Sequence, residues 1–323
     1  MQTITEERSK FSAGFAAAII GTVLWSTTAV FIRELTVSYG MPPLVLAFWR
    51  EIGVAVGIVV TLAVIKPELL RLPRRHFTFL VCYGLVLMLF NTTWTISVAL
   101  NGAAVSTVLI YSSPAITALI SRWLWGERLG LARGTAVLLS MAGCALVSGA
   151  YNPAVWQLNP VGAALGLLSG GLFAAYSIFG KLAARRGLNP WSTLVWTFST
   201  APVFLLFTLM LPVGSWLDIQ TGSVRELMWL GDAWRGWLLV AVLALGPTIG
   251  GYGLYSVSLR TLPASAANLI ASSEPVFTAV LAYLFLGERM LPVEFWGSFL
   301  IISGVLLLRI RSGQPVRSAI FST

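Results

Sequence analysis

Residues 264–289 read ASAANLIASSEPVFTAVLAYLFLGER, an apolar run broken near its centre by a carboxylate and a proline, Glu274-Pro275. The first half of the chain carries the same pattern at 103–128, AAVSTVLIYSSPAITALISRWLWGER. Ser112-Ser113-Pro114 recurs as Ser273-Glu274-Pro275, Gly126-Glu127-Arg128 as Gly287-Glu288-Arg289, and Gly143 as Gly304, all at a spacing of 161 residues. Nearer the start of each half the spacing is 148: Gly14, Leu24 and Phe31 match Gly162, Leu172 and Phe179, and Arg33 faces Lys181. The extra residues fall in the polar stretch 213–235, the longest loop. The chain is a duplication, and each copy has to be read as a set of membrane spans.

The surrounding composition requires that reading. The 323 residues are 57% hydrophobic and 10% charged, with a mean hydropathy of +0.84. Soluble domains run nearer one quarter charged, so a cytosolic enzyme or a nucleic-acid binder is excluded. A bilayer core needs about 20 apolar residues per helix. That window gives ten spans: 12–32, 43–65, 77–99, 103–124, 130–150, 161–181, 191–212, 236–258, 264–286 and 293–310. The runs are continuously apolar, without the alternation of a barrel strand. The first is too long for a cleavable signal and lacks a small-residue cleavage site. The fold expected is an all-α polytopic membrane protein of ten helices. It has a 1–11 tail, a five-helix repeat over 12–150, a second over 161–310 and a 311–323 tail. An odd number of spans per copy inverts the second copy relative to the first, a recurrent plan of secondary transporters.

The net charge of +9 comes from 21 Lys/Arg against 12 Asp/Glu. With the N-terminus inside, sixteen of those 21 basic residues fall on the cytoplasmic side: Arg8, Lys10, Lys66, Arg71, Arg74, Arg75, Arg122, Arg128, Arg133, Lys181, Arg185, Arg186, Arg260, Arg309, Arg311 and Arg317. Such a bias predicts cytoplasmic N- and C-termini. The home expected is a bacterial inner membrane, since no organelle transit segment precedes the first span. Two cysteines, Cys82 and Cys144, and one histidine, His76, supply neither a disulfide framework nor a zinc cluster, and no cofactor is expected. His76 lies in the basic loop 66–76 and reads as a surface residue.

Five-helix halves, Leu24-Trp25-Ser26 in the first span, Trp49-Arg50 in the second, Glu274-Pro275 in the ninth and Gly-Glu-Arg turns after the fourth and ninth resemble the EamA branch of the drug/metabolite transporter superfamily. The resemblance covers about 12–310. It implies a ten-helix carrier, often an exporter of amino acids or other small metabolites, with a central cavity lined by helices 1–4 and 6–9. Ser113 stands where the second half has Glu274, so a charge-dependent step rests on one half.

A charge at mid-membrane costs about 2.5–3.5 kcal/mol on insertion scales, so one that is retained usually faces a cavity or a partner. Glu274 is the eleventh residue of the 264–286 span, close to the midplane, and Pro275 opens the turn at residue 271. Pro114 does the same at residue 110, and Pro247, within Gly246-Pro247-Thr248-Ile249-Gly250-Gly251, loosens the eighth span. Paired helix breaks in inverted halves point to a midplane binding site. On one reading Glu274 binds a proton or a substrate ammonium. On the other it is structural, tied to Ser272, Asn268 or a neighbouring helix. Arg50 reads as a bidentate clamp for a substrate carboxylate, or as a side chain snorkelling to the interface. Glu51, roughly 100° round the same helix, cannot face the same groove directly. Asn91 and Trp94 form a polar patch with Thr92, Thr93 and Thr95, and Trp25, Tyr111, Tyr176 and Tyr252 sit deep and carry polar handles. Together these predict an aromatic-walled cavity for an amphipathic solute, against a blander reading of interhelical packing.

The sequence therefore points to a secondary transporter, an exporter working by alternating access, whose partners are a small-molecule substrate, the lipid bilayer, and a proton or counter-substrate. A polytopic membrane enzyme is the rival class, but no paired-carboxylate cluster, His/Cys metal spacing or glycine-rich phosphate loop supports it. A channel would want repeated filters around a symmetric pore. No soluble segment is large enough to bind nucleotide. The Gly-Glu-Arg turns read as mechanical: a glycine ends one helix and a carboxylate favours the start of the next.

Overall fold

The apolar runs set the architecture directly, because a backbone inside lipid must satisfy its hydrogen bonds within its own segment. A computed structural model describes residues 2–71, 74–127, 130–156, 159–218, 220–286 and 291–312. Ten helical passes follow one another among them. The first pass, α1, runs through Gln2–Ser26, Thr28–Arg33 and a π-turn Glu34–Ser38, and α2 is Pro43–Ile65. The next helical run, Phe77–Ile110, is two passes meeting at Gly102. There α3, residues 77–101, gives way to the first piece of α4, residues 103–110, and the second piece of α4 is Ser113–Trp125. The rest are α5 Leu131–Val147, α6 Pro160–Arg185, α7 Pro190–Met210, α8 across Trp234–Leu243, Ala244–Thr248 and Ile249–Thr261, α9 as Ala264–Ala271 and Glu274–Leu286, and α10 Pro292–Ser312. Seven helices are by themselves long and apolar enough to span a bilayer; α5 is shorter, and α4 and α9 are each broken in two.

Gly102 takes φ 77°, ψ 163°, a region open essentially to glycine alone. The chain doubles back there, so that the Ser97 and Ser106 hydroxyls, nine positions apart, lie 2.9 Å from each other. A reversal this tight needs no connecting loop, and none separates α3 from α4.

The packing between halves closes on itself under exchange of the two copies. Helix α5 packs on α10, α2 on α7 and α4 on α9, each against its own counterpart. The contact of α3 with α6 is matched by α8 with α1, α3–α7 by α8–α2, and α4–α6 by α9–α1. The α5–α10 pair is backbone-close: a Cβ on Gly143 would stand 2.5 Å from the Gly297 carbonyl oxygen, and one on Gly304 would stand 2.7 Å from the Ala136 carbonyl. Because residue 143 meets 297 while 136 meets 304, the two helices run antiparallel. The turn that leads into α5 and the start of α10 therefore lie at opposite ends of the bundle, as an inverted pair requires. The second Gly-Glu-Arg, residues 287–289, lies outside the described residues, as does Arg128.

One end gathers the start of α1, residues 66–71, 74–76, 126–127, 186–189 and 262–263, and the end of α10. Arg185 lies over Trp125, Arg186 over Phe79 and Arg309 over Phe15, while Ser192 donates to the Leu69 carbonyl. This is the basic end. His76, expected at the surface, is instead buried at 8% exposure, its Nε2 accepting from Arg75 Nε at 2.9 Å. The short helical turn that opens α3 folds it inward. At the opposite end residues 220–233 return over the first half. Leu44 N–H donates to Thr221 O, Trp49 Nε1 to Leu227 O and Trp229 Nε1 to Tyr39 O.

Candidate functional site

The helix breaks place the polar residues. In α4 the first piece stops at Ile110, Tyr111 and Ser112 make the turn, and Pro114 sits in the first turn of the second piece. In α9 the first piece stops at Ala271, Ser272 and Ser273 make the turn, and Glu274-Pro275 opens the second piece. A proline in a first turn costs nothing, since its missing N–H would be unpaired there anyway. Both breaks fall at the residues that the prolines mark.

Two cross-half bonds join these breaks. Ser113 Oγ donates to Asn268 Oδ1 at 2.9 Å, and Tyr111 donates its hydroxyl to Glu274 Oε2 at 3.1 Å. Asn268 Nδ2 donates in turn to Ser177 Oγ at 2.8 Å, which lies 2.6 Å from the Tyr255 hydroxyl. A chain of polar groups thus ties α4, α9, α6 and α8 together at mid-depth. Glu274 is bonded to neither Ser272, which donates to Leu269 O, nor Asn268. It is half-buried, and Asn268 is fully buried.

A second charged group stands on α2. Glu51 is wholly buried and accepts from Asn91 Nδ2 at 2.8 Å through Oε1, while Oε2 has no hydrogen-bond partner among the described residues. Arg50 is half-buried, with a buried Nε that also has none. The two side chains diverge as adjacent helical positions must, yet Arg50, Glu51 and Glu274 all lie within electrostatic reach of Tyr252. An aromatic wall closes the space: Trp25 meets Tyr252 at 4.9 Å between ring centroids and Tyr255 at 5.2 Å, and Tyr176 meets Tyr252 at 5.5 Å. The buried Trp25 Nε1 has no partner among the described residues. Trp94 is half-buried against the core one turn beyond Asn91. Pro247 lies in the π-turn Ala244–Thr248 of α8, where Thr248 Oγ1 donates to Leu243 O.

Unpaired donors and acceptors cost free energy when buried, roughly 1–3 kcal/mol each, so a cluster of them is poised for a polar guest. Arg50 Nε and Glu51 Oε2 on α2 and Trp25 Nε1 on α1 are groups of this kind. A small pocket of about 10 Å³ lies elsewhere, at the basic end, lined by Tyr83, Gly180, Ala183, Leu188, Thr193 and Ser256 among others. Ser113, Ser177 and Tyr255 complete the network but are not among the predicted site residues. Ser177 stands two helical turns from Gly170, on the face that the glycines of α6 present to α4, and that spacing is the signal for it. The turn at 126–127 also does more than end a helix. Gly126 takes φ 64° and donates its N–H to Arg122 O, while Glu127 accepts from Ser265 Oγ at 2.9 Å and pairs with Arg133 at 3.5 Å.

Comparison with known proteins bears on the fold and the family. A crystal structure of another protein, 17% identical, superposes with a TM-score of 0.75 over 93% of this chain and 97% of its own, which shows a shared fold. An uncharacterised transporter, YwfM of Bacillus subtilis (strain 168), is 26% identical over 293 residues, 90% of this chain and 91% of that one. The threonine/homoserine exporter RhtA of Escherichia coli (strain K12) is 25% identical over 245 residues, 74% of each chain. The model of the EamA-like transporter family matches residues 12–149 and again 160–310, and the chain belongs to that family.

Proposed function

We propose that this transporter is a secondary carrier that exports a small zwitterionic metabolite, of the amino-acid class, by alternating access around the Arg50–Glu51–Glu274 cluster. The observation that carries the reading is the pairing of opposite charges with open valences around one aromatic wall. Arg50 receives the carboxylate, Glu274 or Glu51 the ammonium, and Trp25, Tyr176 and Tyr252 flank the side chain. Asn91 holds Glu51 in place, Asn268 holds α4 against α9, and Pro114, Pro275 and Pro247 supply the yielding points. Two five-helix repeats over 12–150 and 161–310 rock against one another. The basic end faces the cytoplasm, and the chain sits in the inner membrane, as the charge bias suggests. The identity of one relative as a threonine/homoserine exporter supports the substrate class.

The test is purified protein in liposomes loaded with labelled threonine or homoserine, with and without an imposed pH gradient. Carrier-like, saturable flux with competition by other amino acids is the expected result. Hydrolysis or group transfer without solute flux would end the reading in favour of a membrane enzyme, and unsaturable flux in favour of a channel.

A further inference from the structure

We propose that the basic end carries a binding site for one anionic phospholipid, whose phosphate is held between Arg75 and Arg186 where α3 begins beside the end of α6. The site is independent of the transport reading and stands on how the cations of this end are used. Several have a task already. Arg133 pairs with Glu127 at 3.5 Å, Lys181 donates to the Leu259 and Leu262 carbonyls at 2.9 and 2.7 Å, and Arg309 lies 5.0 Å over the Phe15 ring. Arg75 and Arg186 differ: both are exposed, and among the described residues neither has a carboxylate within ion-pair distance. Glu68, the acid nearest to Arg75 in sequence, pairs with neither, and Glu127 is taken by Arg133 and Ser265.

The two guanidiniums meet around one imidazole. His76 is 8% exposed, and its Nε2 accepts from Arg75 Nε at 2.9 Å. Burial, and then the charges of Arg75 and Arg186, hold this histidine below its ordinary range, so it stays neutral with both arginines in electrostatic reach. Arg186 lies 4.2 Å over the Phe79 ring, which stacks on Phe179 of α6 at 5.3 Å. The imidazole thus fixes one guanidinium through its Nε and the ring fixes the other through its face, and both keep their Nη edges for an acceptor. Two like charges held about one neutral group repel, and an anion between them removes the repulsion. Phosphate fits the guanidinium fork in bidentate geometry. The membrane supplies that phosphate. Arg75 precedes the first residue of α3 and Arg186 follows the last of α6, at the level where hydrocarbon gives way to headgroups. Phe77, 52% exposed at the start of α3, offers an acyl chain an apolar surface beside them. Basic pockets between membrane helices are sites where anionic headgroups dock.

The probe is phosphatidylglycerol. Full-length protein is reconstituted in vesicles of equimolar phosphatidylcholine and phosphatidylglycerol, extracted in mild detergent, and the lipid retained per protein is counted by native mass spectrometry. The parent should keep phosphatidylglycerol in preference to phosphatidylcholine. The double variant Arg75→Ala/Arg186→Ala should keep at least about tenfold less, the loss expected for two cations near the surface. A charge-matched control, Arg260→Ala/Arg309→Ala, removes two exposed arginines of the same end on α8 and α10 and should retain the lipid as the parent does. Added phosphatidylglycerol should raise the thermal unfolding temperature of the parent and leave that of Arg75→Ala/Arg186→Ala unchanged, which also shows that the variant is folded. Equal retention of the two lipids by the parent, or equal loss in both double variants, would reduce the cluster to general basic charge and overturn the proposal. Release of the lipid by inorganic phosphate would overturn it in favour of a soluble anion.

Discussion

Replacing Glu274 with glutamine isolates its charge. Glutamine has nearly the same volume and keeps a carbonyl oxygen where Oε2 accepts from Tyr111 at 3.1 Å, so the cross-half bond and the packing of α4 on α9 survive. What is lost is the charge that pairs with a substrate ammonium. A hydrogen bond to a charged partner contributes about 1.5–3 kcal/mol, and each 1.4 kcal/mol is tenfold, so kcat/KM for threonine should fall by roughly 10- to 150-fold. Tyr111→Phe removes one donor to the carboxylate but leaves the charge, and should cost about 1.5 kcal/mol, near tenfold. Pairing with an ammonium requires the ionised carboxylate, so wild-type flux should decline on acidification while the glutamine variant stays flat. Initial rates in liposomes across a pH series, with thermal unfolding in detergent as the folding control, give all three numbers. A folded Glu274→Gln protein within twofold of wild type at every pH would refute the reasoning and leave Glu274 a packing residue.

Arg50→Ala should weaken uptake of carboxylate-bearing solutes more than that of neutral analogues, by about tenfold for a lost bidentate contact; equal losses in competition assays would assign Arg50 to folding. Gly143→Ala should destabilise the protein by about 1–3 kcal/mol, because the added methyl lands on the Gly297 carbonyl and the helices must separate. Gly134→Ala on the same helix has open space around its Cβ and should be neutral or slightly stabilising in the same thermal-unfolding measurement.

The fold was legible because its determinants are local and repeated. Hydropathy marks the passes, the prolines at 114 and 275 mark where α4 and α9 break, and the duplicated Ser-x-Pro and Gly-Glu-Arg motifs align the halves. The site was legible only in part. Glu274, Arg50 and Glu51 stand out because charges are scarce in apolar spans, and the Glu51–Asn91 bond follows from two polar residues seeking partners. Ser177 did not stand out, since a serine in a membrane helix often bonds its own preceding carbonyl, as Ser169 and Ser272 do. Only three-dimensional contact shows that Ser177 also bridges Asn268 to Tyr255.

A frame that repeats and a chemistry that does not have different physical origins. Helix contacts depend on small residues and apolar bulk, which tolerate divergence, so the pairing of passes keeps its two-fold form. The polar positions have separated: Ser113 aligns with Glu274, Thr107 with Asn268, and Tyr111 with Ser272. An exact copy of the Ser113–Asn268 bond would join Glu274 to Thr107, yet Glu274 bonds Tyr111 instead. One crossing between the halves is thus neutral and fully buried, and interhelical bonds of that kind average only about 0.6 kcal/mol in membranes. The other carries a half-buried charge with one donor, Tyr111, on Oε2 among the described residues. A carboxylate accepts several hydrogen bonds, so the second crossing has capacity left for a guest, whereas the first is a neutral pair buried on both sides. Duplication supplied two equivalent helix breaks, and substitution at one of them supplied the charge to which the proposed substrate ammonium binds.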